Sequence, residues 1–147
     1  MTGLHGDTGP IDYDALELIR DTILETEPLV NRYSLDDRLE PRPELHVSVE
    51  VGFGESRSGR FDIVWTERNY YNFHYTETEG IDFRFDRHPE PNTLEKHFHE
   101  PPDARNRVPS CIEVEQPELV TRAVFKCWRT ALYEDDPSLL NLTSNPP

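Results

Sequence analysis

The sequence predicts an α+β fold: a four-stranded antiparallel meander with two helices packed on one face. Three observations lead there. A stripe of apolar residues at helical spacing opens the foldable part. Four short segments of strict two-residue alternation follow, with tight turns between them. A second, longer helical stripe closes it.

Residues 1–10 hold three glycines and a proline and read as a flexible arm. Asp12 is placed to cap the first helix, on which Leu16, Ile19 and Ile23 recur, with Ala15 and Leu18 widening the stripe. This helix should end near Pro28, and the polar, proline-bearing residues 31–43 read as a connection. The period then changes to two. Leu45, Val47, Val49, Val51 and Phe53 alternate with polar residues and glycine. Phe61, Ile63 and Trp65 alternate with Asp62, Val64 and Thr66, and Tyr71, Phe73 and Tyr75, then Ile81, Phe83 and Phe85, alternate with polar residues. Short turns at 54–59, 68–69 and 77–80 make the four strands an antiparallel meander with one apolar face.

Residues 87–110 hold five prolines and show no sustained period, so they read as a long connection. Gln116-Pro117 opens the second helix, with proline tolerated in its first turn. Its stripe is Leu119, Val120, Ala123, Val124, Cys127, Trp128, Ala131 and Leu132. Residues 11–134 thus form a single domain, and 135–147 a flexible tail.

The 147 residues carry 29 acidic and 15 basic groups, for a net charge of −14, and only Lys96 and Lys126 are lysines. Acid-rich, lysine-poor composition suits a cytoplasm of high salt. At molar ionic strength the screening length falls to roughly 3 Å, so crowded carboxylates repel little and hold water at the surface. The same screening weakens the rule that an acidic protein avoids nucleic acid. No signal peptide, lipidation motif or apolar run of spanning length is found, so a cytoplasmic protein without membrane contact is expected. Cys127 lies on the apolar helix stripe and reads as a buried free thiol rather than half of a disulfide with Cys111.

Strand alternation also sorts the polar residues. If Phe73 and Phe83 face the helices, then His46, His74, Arg84 and Asp86 face the other way, on an uncovered surface. Arg87 and His88 follow at once, and the connection later supplies Lys96, His97 and His99. From Arg84 to Arg107 five basic and five acidic residues balance, inside a chain of −14. A locally neutral, histidine-rich strip is suited to receive a phosphate. The plain structural alternatives are a surface ion pair of Arg84 with Asp86, and His97 and His99 flanking a buried Phe98.

The runs Tyr71-Asn72-Phe73-His74-Tyr75, Ile81-Asp82-Phe83-Arg84-Phe85-Asp86-Arg87-His88-Pro89 and His97-Phe98-His99 resemble the TumE-like toxins of toxin–antitoxin pairs. The resemblance covers roughly residues 44–130. It implies a toxin silenced by a cognate antitoxin, often a helix-turn-helix protein, with RNA or the translation apparatus as target.

For such a target the residues suggest metal-independent ribonuclease chemistry. It needs a base for the ribose 2′-hydroxyl, an acid for the leaving oxygen and a cation for the phosphorus centre. His74 with His97 or His99 would serve the proton transfers, Arg84 the phosphate, and Asp86 the orientation of a histidine or of Arg84. His46, Arg87, His88 and Lys96 would bind substrate. No metal or other cofactor is needed. Two further readings remain open. His97 and His99 with His88 or Asp86 could hold zinc in a hydrolase. The histidine face could instead be the interface of a non-catalytic partner-binding module.

Overall fold

The computed structural model describes residues 8–89 and 95–142. The element order is helix α1 (Tyr13–Thr26), strands β1 (Val30–Leu35), β2 (Leu45–Val49), β3 (Gly59–Trp65), β4 (Tyr71–Thr76), β5 (Asp82–Arg87), β6 (Lys96–Glu100) and β7 (Asn106–Pro109), then helix α2 (Pro117–Glu134). A 3-10 turn over Pro137–Leu139 follows. The strands form a single sheet in chain order, β1 to β7, with every neighbouring pair antiparallel.

The expected four-stranded meander is therefore corrected to a seven-stranded one, although the class remains α+β. The four alternating segments are β2 to β5. β1 lies in the stretch read as a connection, and β6 and β7 lie in the stretch read as a long loop. β1 is an edge strand whose four central residues, Asn31, Arg32, Tyr33 and Ser34, are all exposed, so it carries no apolar alternation. Polar edges protect a sheet from pairing with other chains. β6 reads Lys-His-Phe-His-Glu, with Phe98 its only apolar residue. β7 closes the other edge and ends at Pro109, which an edge position tolerates.

Asp12 caps α1 by accepting a hydrogen bond from the Ala15 amide. α2 begins at Pro117 and ends on Asp135 in the left-handed conformation. Both helices cover the same face of the sheet. Leu16, Ile19 and Ile23 of α1 and Val120, Val124, Phe125, Cys127 and Trp128 of α2 share one core with the apolar residues of β2 to β6. Phe61 is central, its ring centroid 5.0 Å from that of Tyr75, 4.6 Å from Phe125 and 5.7 Å from Trp128. The few large rings do the packing that many aliphatic side chains do elsewhere.

Two contacts join α2 to its surroundings. Arg129 of α2 donates to Glu27, just after α1, at 2.8 Å. Burial nevertheless holds the Glu27 carboxyl above its usual range, partly offset by Arg129. Cys111 and Cys127 form no disulfide, and their sulfurs lie 3.7 Å apart. Residues 1–7 of the expected arm and 143–147 of the expected tail lie outside the described residues. Of the rest of that tail, Leu140 is fully buried, and the Asn141 side chain bonds the Cys111 amide and the Pro109 carbonyl. Among the described residues no helix is long and apolar enough to cross a membrane.

Candidate functional site on the polar face of the sheet

With the apolar residues turned to the helices, the alternate residues of each strand line the opposite face. Strand register aligns one from each strand into a row. Ser34, His46, Asp62, His74, Arg84, His99 and Arg107 are successive partners across all seven strands. A second row on the same face runs Val64, Asn72, Asp86, His97, Pro109. The strip therefore holds five of the residues expected to share a face and to act together: His74, Arg84, Asp86, His97 and His99. His46 joins them two strands away from Arg84's neighbour His74. His97 and His99 arrive as members of β6, paired beside β5, rather than on a loop folding back over the sheet.

The side chains bond one another. His46 donates from Nδ1 to Asp62 Oδ1 at 2.6 Å, and its Nε2 lies 3.3 Å from Asp36. Arg60 also donates to Asp62. Glu44 approaches this end of the row, its carboxyl raised by burial and lowered in part by His46. His74 donates from Nε2 to Asp82 Oδ1 at 2.7 Å, which leaves Nδ1 as the lone-pair nitrogen. That Nδ1 is buried and has no hydrogen-bond partner. Arg84 donates from Nη2 to His99 Nδ1 at 3.2 Å, and His99 Nε2 faces Asp86 Oδ2 at 3.0 Å. This pattern assigns the proton of His99 to Nε2.

Asp86 is the hub of the strip. It is 3% exposed. Besides His99, its carboxylate has Arg84 Nε at 3.6 Å on Oδ2, and His88 Nε2 and His97 Nδ1 each at 3.8 Å on Oδ1. The expected uncovered surface is thus largely a self-packed one, with His74 at 6% exposure. Mutual hydrogen bonding lets histidine and aspartate pack closely where a lone charge would demand water. The Arg84 side chain remains 22% exposed and is the cation of the trio that solvent reaches.

Two expected substrate-binding residues are placed elsewhere. Arg87 and Lys96 are register partners on the opposite parity of β5 and β6. Arg87 bonds Glu95 at 2.9 Å and the Asn69 carbonyl at 2.9 Å, and covers the Tyr70 ring. Lys96 pairs with Glu115 and with the carbonyls of Glu113 and Val114, anchoring the approach to α2. Sequence reasoning passed over Asp62, Asn72 and Asp82, which complete the strip. The signal was their alternation with apolar neighbours, the same that marked His74. In a chain with 29 acidic residues an aspartate on a strand does not stand out.

An open groove of about 410 Å³ adjoins the row. Arg32, Ser48, Arg60 and Thr76 line it as another register row of the same face, with Asn31, Ser58 and Thr78 beside them. Glu50 and Glu77 lie on its wall, and Glu77 accepts from the Tyr75 hydroxyl and the Phe53 amide.

An antiparallel sheet with helices on one face and a histidine–arginine–aspartate strip on the other defines a small α+β protein with an acid–base constellation. Comparison with known families is specific on its class. Residues 17–131 match the family described as Toxin TumE, and the chain belongs to the TumE toxin family. The match takes in α1 from residue 17 onward and β1 as well as the rest of the sheet, so it reaches upstream of the motifs that carry the resemblance. No curated protein and no solved structure matches the chain. Family membership supports a toxin role and with it an antitoxin partner.

Proposed function

We propose that this chain is the toxin of a toxin–antitoxin pair and acts on RNA as a metal-independent ribonuclease in the cytoplasm. The observation that carries the reading is the row His74–Arg84–His99, a guanidinium with an imidazole on the strand at either side. Two strand spacings separate the histidine backbones by roughly 10 Å. Long side chains leaning inward from that distance can address opposite sides of one phosphate held at Arg84.

Each member has a role its surroundings favour. Asp82 holds the Nε2–H of His74, so the Nδ1 lone pair is oriented to take a 2′-hydroxyl proton. Arg84 binds the phosphate and offsets charge as it develops on the phosphorus centre. His99, held on Asp86, returns a proton to the leaving oxygen. In the free protein Arg84 donates to His99 Nδ1. An arriving phosphate competes for that guanidinium, and the freed Nδ1 takes up a proton from solvent, so that His99 becomes an imidazolium held on Asp86 and can give that proton to the leaving oxygen. His97 packs beside this trio and supports it. The groove lined by Arg32, Arg60 and hydroxyl side chains would hold the flanking sugar–phosphate backbone. High cytoplasmic salt would let a chain of −14 approach a polyanion. The silencing partner would be an antitoxin of the helix-turn-helix kind.

The test has two arms. Expressed alone the chain should arrest growth, and co-expression with its antitoxin should lift the arrest. Purified protein should cleave RNA in the presence of a chelator, leaving 2′,3′-cyclic phosphate ends, and His74→Ala should abolish this. Intact RNA from arrested cells would remove the ribonuclease reading and leave the toxin role standing.

A further inference from the structure

We propose that Asp86, His88 and His97 form a binding site for a divalent transition metal of the zinc class. This goes beyond the ribonuclease reading and does not rest on it. One ligand atom from each of the three residues lies within 4.8 Å of the others. Asp86 Oδ1 is buried and has no hydrogen-bond partner, while His88 Nε2 and His97 Nδ1 both lie 3.8 Å from it. That separation is too long for a hydrogen bond. It is close to the spacing of two ligands on one ion. Zinc bonds of about 2.0–2.1 Å in a tetrahedron place ligand atoms roughly 3.4 Å apart, a few tenths of an ångström nearer than here.

The surroundings favour ligation. His88 Nδ1 faces the Pro89 carbonyl at 3.4 Å, which directs the lone pair to Nε2, the nitrogen turned to Asp86. The rings of His88 and His97 lie 5.5 Å apart, centroid to centroid. Asp86 serves two partners through separate oxygens, since His99 is on Oδ2 and the ion would take Oδ1. His99 is thereby excluded from the ligand set, and the pair at two-residue spacing, His97 with His99, is replaced by His97 with His88. Two nitrogens and one oxygen suit zinc, cobalt or nickel rather than magnesium, calcium or manganese, which prefer oxygen. Three protein ligands leave a position for water. The ion would tie the end of β5 to β6, and no step of the chemistry above passes through it.

The cluster Glu44, His46 and Asp62 is the built-in control. There the histidine already donates to Asp62 at 2.6 Å, so its carboxylate is engaged. Tag-free full-length chain, dialysed against chelator, is titrated with zinc chloride by calorimetry and with cobalt(II) by absorption. One ion per chain is expected, with cobalt bands of a nitrogen–oxygen site. His88→Ala and His97→Ala should each weaken zinc binding more than roughly tenfold, and His46→Ala should leave it unchanged. His88 is partly exposed at a strand end, so His88→Ala is the variant that keeps the fold if His97→Ala does not. Absence of zinc binding, binding unaltered by His88→Ala, or binding lost with His46→Ala would each overturn the site.

Discussion

Arg84 donates to Nδ1 of His99, its register partner on the next strand, at 3.2 Å. A guanidinium cannot accept a proton, so this contact requires a bare Nδ1 and sends the imidazole proton to Nε2, against Asp86. One arginine thereby sets the tautomer of a histidine while 22% of its own side chain stays open to solvent. That coupling makes the functional predictions differ from residue to residue.

Replacing His74 or His99 by alanine should relieve growth arrest, because each removes one of the two proton-transfer groups. His97→Ala should relieve it less completely, by loosening the packing around Asp86 and His99. Colony counts after induction measure this. Full toxicity in both His74→Ala and His99→Ala would rule out the assignment.

Arg84→Lys keeps the charge but loses the planar fork that reaches His99 and phosphate together. Toxicity should fall as far as in Arg84→Ala, with RNA binding in a filter assay weakened less than cleavage. Equal loss of binding and cleavage would make Arg84 a binding residue only.

Asp86→Ala should destabilise the fold by about 3–5 kcal/mol, since it leaves Arg84 and His99 facing one another without their shared anion. Asp82→Asn should cost little stability, as its partner His74 keeps an acceptor, yet should reduce cleavage by misorienting His74. Urea unfolding and RNA cleavage on the same preparations separate the two effects.

Glu27 gives a pH-dependent test far from the site. Burial raises its pKa in the folded chain above the unfolded value, despite Arg129. Its protonated form is therefore the one folding favours, and that stability is lost as pH rises through the folded pKa. Glu27→Gln should melt at a higher temperature than the parent at pH 7. The gap should narrow as pH falls toward the ordinary glutamate value of 4.5. A lower Tm at pH 7 would show that the ion pair outweighs burial.

Phe61→Ala should cost about 3–5 kcal/mol, because the ring touches both the sheet and α2 and leaves a cavity that neither can fill. A loss under ~1 kcal/mol would contradict its central place in the core.

The alternation of Phe73 with His74 and of Phe83 with Arg84 was legible because those strands are central and apolar on one side. The same alternation placed His46, His74, Arg84 and Asp86 on one face. β1 and β7 were not legible, because an edge strand meets water on both sides and needs no apolar period. β6 was missed because only Phe98 reaches the core. Its histidines face the polar strip, and from composition they resembled a loop. The ion pairs that engage Arg87 and Lys96 on the opposite parity of their strands depend on Glu95 and Glu115, and no local spacing announces them.

The chain-ordered sheet also bears on how the protein is made. Each strand pairs with the one synthesised just before it, so the sheet has low contact order and can form by successive local steps. The helices are the reverse: α1 opens the described fold and α2 nearly closes it, and they pack together. During synthesis the part of the aromatic face that α2 covers would thus wait, unroofed, for that helix to leave the ribosome. The interval before α2 docks is when an antitoxin or a chaperone would find the most apolar surface to hold.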